Sequence, residues 1–212
     1  NKTVILALAA AILFSASAPA VFSPPGTSAE AMIVLHAESG AVLAEKNADT
    51  PMLIASTTKL MTALTALDLA SPERSVTVQA VDNGRGLVHV GLIMAAALQN
   101  DVLAEILSMR SSCIHGVTYV NHNKLLWSCR GVNGGKTGYT KAAGRCLVTS
   151  CERDGMQLIC VTLSDPNDWK DHAALYDWAF DAYAEFRLPE GKPVEHVPVI
   201  GGPEAESAAV LD

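Results

Sequence analysis

Cys146-Leu147-Val148-Thr149 and Leu158-Ile159-Cys160-Val161-Thr162-Leu163 are two apolar runs joined across Arg153-Asp154-Gly155. Runs of this length around an Asp-Gly turn read as an antiparallel hairpin. Just upstream stands Gly134-Gly135-Lys136-Thr137-Gly138-Tyr139, which reads as a third strand of the same unit. Near the other end of the chain, Met32 to Leu35 and Ala41-Val42-Leu43 flank Glu38-Ser39-Gly40 as a second hairpin. Between the hairpins the pattern turns helical. Leu60, Ala63, Leu64 and Leu67 form one stripe that ends near Leu69, and Leu92 to Met109 predicts a second helix through Leu92, Ala95, Ala96, Leu103 and Leu107. Val76-Thr77-Val78 suggests a short strand, and a closing helix runs from about Trp169 to Phe186. Two strands, helices, three strands and a helix imply an α/β chain of the α+β type. Its antiparallel sheet is built from both ends of the sequence and flanked by helices.

The chemistry concentrates at two places. Ser56-Thr57-Thr58-Lys59 opens the first helical stripe. A Ser and a Lys three apart share a helix face. A Ser hydroxyl is a weak nucleophile until a base takes its proton, and a desolvated Lys is such a base. Taken alone, the pair also fits an N-capping Ser beside a solvated Lys. Lys136 and Thr137 on a strand offer a cation and a hydroxyl to a carboxylate, and Gly138 lets a substrate backbone come close.

Composition narrows the function classes. The chain has 212 residues, half of them hydrophobic, so one sizeable core is available. A net charge of -7 with no basic cluster argues against a nucleic-acid partner. Lys2, the apolar run from Val4 to Phe14 and the small residues after it read as a secretory signal, too short for a bilayer span. Residues 1–30 are therefore expected to be signal and linker, and the chain to be exported to the cell envelope. The five cysteines, Cys113, Cys129, Cys146, Cys151 and Cys160, cannot all pair within one chain. Cys146 and Cys160 fall on strands expected to be neighbours, but small buried hydrophobes are the simpler reading. Neither these residues nor His36, His89, His115, His122, His172 and His196 show metal-ligand spacing, so no metal or cofactor is expected.

Longer stretches around both places resemble one family. Ile54 to Leu64 resembles the active-site segment of the D-alanyl-D-alanine carboxypeptidases, the low-molecular-mass penicillin-binding proteins. Asn123-Lys124-Leu125-Leu126-Trp127, Gly134 to Thr140 and Ala142 to Val148 are similar to that family's later segment. The resemblance implies a penicillin-binding-protein/β-lactamase-like fold over residues 31–187, with 188–212 opening a truncated β-rich domain or tail. It implies that Ser56 attacks the peptide bond between two D-alanines of a peptidoglycan stem peptide while Lys59 accepts its proton. Lys136 and Thr137 would hold the terminal carboxylate, beside Gly138, and the amides of Ser56 and Tyr139 would form the oxyanion hole. β-Lactam antibiotics would acylate Ser56 as mimics of the peptide, and membrane association is allowed.

The resemblance has one break. The family's third motif, Ser-x-Asn, occurs nowhere in the chain. Val88-His89-Val90 runs directly into Gly91-Leu92-Ile93-Met94, text similar to a region well beyond that motif, so the helical lobe is expected to be shortened. Tyr119-Val120-Asn121 imitates a Tyr-x-Asn variant but adjoins text that belongs near Lys136, and reads as coincidence. Two alternatives stay beside the carboxypeptidase: a degenerate relative that binds peptidoglycan without turnover, and a β-lactamase. The last would need a Glu-bearing deacylation loop, which nothing here resembles.

Overall fold

The computed structural model describes residues 3–7, 23–69, 87–187, 194–198 and 206–209. Strands β1 (Thr3–Ala7), β2 (Ala31–His36) and β3 (Val42–Lys46) come first. A 3-10 turn, Ala55–Thr58, leads into α1 (Lys59–Leu69), followed by α2 (Leu87–Leu98) and α3 (Asp101–Ser108). A small hairpin, β4 (Ser111–Ile114) and β5 (Val117–Val120), precedes the short α4 (Leu125–Ser128). Then come β6 (Val132–Thr140), β7 (Gly144–Arg153), β8 (Met156–Leu163) and α5 (Asp168–Ala182). Strands β9 (Tyr183–Arg187), β10 (Val194–Pro198) and β11 (Glu206–Ala209) end the list.

The main sheet has five strands in the order β3-β2-β8-β7-β6, every neighbouring pair antiparallel. The Asp-Gly turn closes it as expected. Asp154 and Gly155 both have positive φ, and Arg153 pairs with Met156 across a two-residue loop. Strand β2 pairs with β8, Met32 opposite Thr162, which joins the two ends of the chain in one sheet.

Both faces of the sheet are covered, which is why β2 and β8 read as nearly unbroken apolar runs. On one face Ile33, Leu35, Val148, Ile159 and Val161 meet Val90 and Met94 of α2, Leu60 of α1 and Leu103 of α3. On the other, Met32, Val34, Leu158 and Cys160 meet Leu175, Tyr176 and Ala179 of α5. Each such side chain, fully buried, contributes about 1.5–3 kcal/mol. Helix α2 lies hard against β2. A Cβ added at Gly91 would fall 2.5 Å from Leu35 Cδ2.

Several expectations need correction. The single helix predicted over Leu92 to Met109 is two, α2 and α3, bent by 106°. The break falls at Asn100, whose extended backbone and side-chain bond to Leu103 N (3.1 Å) restart the helix as an N-cap. The closing helix ends at Ala182, and Tyr183–Arg187 continues as a strand paired with Thr3–Ala7. The β4–β5 hairpin was not expected. His115 and Gly116 at its tip both have positive φ. Cys146 and Cys160 do lie on neighbouring strands but on opposite faces of the sheet. Val76-Thr77-Val78, most of the apolar N-terminal run and most of 188–212 lie outside the described residues.

Candidate active site

The turn at Ala55–Thr58 presents Ser56 to the edge strand β6. Thr57 Oγ1 donates to Ile54 O (2.6 Å) and Thr58 Oγ1 to Ala55 O (3.2 Å). These bonds to the preceding turn tighten the chain before α1 begins. Ala55 sits at φ 46, a left-handed conformation that an alanine adopts at a cost of order 1–3 kcal/mol. Strain stored beside a candidate nucleophile is held there by packing. Gly138 of β6 lies so close that a Cβ on it would stand 2.9 Å from Ser56 N and 3.0 Å from Ala55 Cβ. Gly138 is therefore what lets the Ser56 turn dock on the strand.

Ser56, Lys59, Lys136, Thr137, Gly138 and Tyr139 all line one cleft of about 540 Å³. The structure thus brings together every residue that the sequence singled out, from segments about eighty positions apart. Lys59 comes from the first turn of α1, one helical step past Ser56. Lys136 projects from β6 and donates its Nζ to Thr137 O. Burial pushes the Lys136 ammonium below the usual lysine range, and the nearby charge of Lys59 lowers it further. No hydrogen bond joins Ser56 to Lys59 among the described residues, and such contacts tighten on substrate binding in many enzymes.

Four more residues complete the wall: His122, Arg145, Asp168 and Trp169. Arg145 Nη2 and Nε donate to Asp168 Oδ1 (2.6 Å) and Oδ2 (3.1 Å), and its guanidinium lies 5.3 Å from the Trp169 ring centre. Asp168 is nearly buried while Arg145 is half exposed, so the pair fixes the guanidinium at the rim. With Asp168 offset by Arg145, Lys59 and Lys136 leave the cleft positive in a chain of net charge -7. Such a site favours an anionic group. Arg145 had a readable signal, since it pairs with Tyr139 in the β6–β7 hairpin. His122 had none, because the loop that carries it is placed by tertiary contacts. Tyr119 is exposed on β5, and Asn121 spends its side chain on Met109 O and Asn123 N. Neither lines the cleft.

A family model described as D-alanyl-D-alanine carboxypeptidase matches residues 18–91 and 93–167. The two stretches meet at Leu92, inside α2, beside the break that the sequence shows at Val90-Gly91. The D-alanyl-D-alanine carboxypeptidase DacB2 of Mycobacterium tuberculosis is 33% identical over 99 residues, 42% of this chain and 34% of that relative. The matched part thus spans about a third of the relative's length. Among solved structures, a D-alanyl-D-alanine carboxypeptidase from Mycobacterium tuberculosis superposes with a TM-score of 0.65 at 22% identity, covering 78% of this chain and 96% of that one. Penicillin-Binding Protein D2 from Listeria monocytogenes, in its ampicillin-bound form, gives 0.64 at 22% identity, covering 73% and 98%. At this identity the two structures speak to the fold, which they share with this chain.

Proposed function

The chain belongs to the D-alanyl-D-alanine carboxypeptidase family, and we propose that it is a serine-type D-Ala-D-Ala carboxypeptidase working through an acyl-enzyme on Ser56. The observation that carries this reading is the convergence of Ser56 and Lys59 with Lys136-Thr137-Gly138 in one positive cleft. Lys59, once it has given up its own proton, takes the Ser56 proton as the hydroxyl attacks the carbonyl between the two D-alanines. The terminal D-Ala leaves, and water releases the shortened peptide. Lys136 and Thr137 bind the terminal carboxylate. The amides of Ser56 and Tyr139 stabilise the oxyanion, each such donor being worth about 2.7–4 kcal/mol. The close seat of Ser56 N on β6 supports that pairing. β-Lactams, one of which the Listeria protein holds, would acylate Ser56 in the same way. The substrate lies outside the cytoplasm, so the proposal carries an envelope location with it.

One observation favours a second reading. Without Ser-x-Asn, Lys59 and the substrate lose hydrogen-bonding partners, and losing members of a catalytic unit costs orders of magnitude in rate. A degenerate relative would still bind, and could still be acylated, but would not turn over. Release of D-Ala from a diacetylated tripeptide ending in D-Ala-D-Ala separates the two. The proposal expects Ser56-dependent release; its absence from the folded protein supports the degenerate reading. Rapid nitrocefin hydrolysis would instead indicate a β-lactamase.

A further inference from the structure

Cys129 and Cys151 meet at the end of the sheet, away from the chemistry assigned to Ser56. Cys129 is the C-cap of α4, and Cys151 pairs with Val132 where β6 begins. Both thiols gather at one carbonyl: Cys151 Sγ lies 3.4 Å from Arg130 O and Cys129 Sγ 4.0 Å from it. Arg153 completes the cluster. Its Nε donates to Arg130 O (3.1 Å), its Nη2 to Cys129 Sγ (3.7 Å) and its Nη1 to Asp177 (2.8 Å). Its guanidinium also stacks over Phe180 at 4.8 Å. A held cation beside one sulfur of a pair gathered at the same carbonyl is a setting for thiolate chemistry.

We propose that Cys129 and Cys151 form a dithiol–disulfide site that reacts with low-molecular-weight disulfides of the oxidised-glutathione type. Cys129 is half-buried and reachable, whereas Cys151 is fully buried. This divides the roles into an attacking and a resolving thiol. The Cys129 thiolate attacks one sulfur of the small disulfide; that S–S bond breaks and one small thiolate leaves. Cys151 then gives its proton to the departing thiolate and attacks Cys129 Sγ. The mixed disulfide breaks and the second small thiol leaves. Two electrons pass from the protein pair to the oxidant, which ends as two thiols. The neighbouring Cys151 thiol first, and the charge of Arg153 with it, hold the Cys129 thiol down to about 7 against the opposing effect of burial. The Cys151 thiol is raised, first by the neighbouring Cys129 and then by burial.

The bond would link the end of α4 to β7 and enclose the whole of β6, with Lys136-Thr137-Gly138, in one covalent loop. Closing such a loop restricts the unfolded chain and raises Tm by about 5–10 °C.

The test treats the full chain with oxidised glutathione near neutral pH, blocks remaining thiols, and maps a non-reducing digest by mass spectrometry. The expected result is a Cys129 peptide linked to the Cys151 peptide, with Tm raised and then restored by dithiothreitol. Arg153→Gln is expected to slow alkylation of Cys129 near pH 7 several-fold. Separate alkylated Cys129 and Cys151 peptides after oxidation overturn the proposal. So does a reaction that halts at glutathionylated Cys129, or a bond from Cys151 to Cys160. The wild-type digest decides this without any variant.

Discussion

Ser56 is aimed by a neighbour with no functional group. Ala55 holds a left-handed backbone, and Gly138 leaves room for it and for Ser56 N. Gly138→Ala places a methyl against backbone and a Cβ, neither of which yields like the end of a flexible side chain. The expected outcome is a fall of about 10²-fold in the rate of labelling by fluorescent penicillin, because a misplacement of about 1 Å costs that much. The fold is expected to lose only about 1–3 kcal/mol. Labelling rate and Tm, measured together, separate the two effects; an unchanged rate would mean the docking is irrelevant to acylation. Lys136 gives a second prediction at this scale. Only the charged ammonium binds a carboxylate, and burial and Lys59 lower its proton affinity. Raising the pH therefore removes the charge earlier than in an ordinary lysine, and kcat/KM for the D-Ala-D-Ala peptide falls on that limb. Lys136→Arg keeps its charge throughout. The alkaline limb should move upward in this variant, and a limb that stays in place would assign the titration elsewhere. Ser56 and Lys136 are legible as residues in the sequence. The strain at Ala55 is not, because alanine carries no signal for positive φ.

At the level of elements, β7, β8 and α5 are joined through a buried polar knot. His172 of α5 bonds Thr149 Oγ1 of β7 (2.8 Å) and Thr162 Oγ1 of β8 (3.0 Å). Tyr176 donates its hydroxyl to Thr149 O at 2.7 Å. Burial lowers His172 from 6.5 to about 3, with Asp171 opposing the shift. In the folded state His172 therefore stays neutral while the unfolded chain takes up a proton below 6.5. Stability is whole above that value and is lost as pH falls toward about 3, at up to about 1.4 kcal/mol per pH unit. Asp165, raised by burial, acts with the opposite sign. The comparison is thus between wild type and His172→Gln. Urea midpoints from pH 7 to pH 4 should fall more steeply for wild type, and parallel curves would refute the neutral buried His172. Elements whose signals are local were legible: the Asp154-Gly155 hairpin, the β2–β3 hairpin, and the helix that carries Lys59. The α2–α3 break was hidden because apolar spacing runs through it, and only the Asn100 cap marks it. The β4–β5 hairpin is short and exposed, so it lacks the buried alternation by which a strand is recognised.

For the whole molecule, the sheet brings the two ends of the chain together, and the cleft forms where the Ser56 turn docks on the edge strand β6. The sequence order of strands and helices was enough for this architecture, and the two motifs with Tyr139 were enough for six of the ten residues of the cleft wall. The rest of the wall comes from a loop (His122), the start of β7 (Arg145) and the first turn of α5 (Asp168 and Trp169), and apart from Arg145 only the assembled fold puts these beside Lys136. The two stretches of family similarity meet inside α2, which packs on β2 through Gly91 as an unbroken helix. That helix shares a core cluster with Leu60 of α1, the helix that carries Lys59. The central claim is that the cleft still activates Ser56. Intact-mass spectrometry after incubation with benzylpenicillin tests it most directly. The account predicts a mass increase of one whole antibiotic molecule, mapped to the peptide containing Ser56 and lost in Ser56→Ala. A folded protein with unchanged mass, or an adduct that persists in Ser56→Ala, would contradict it.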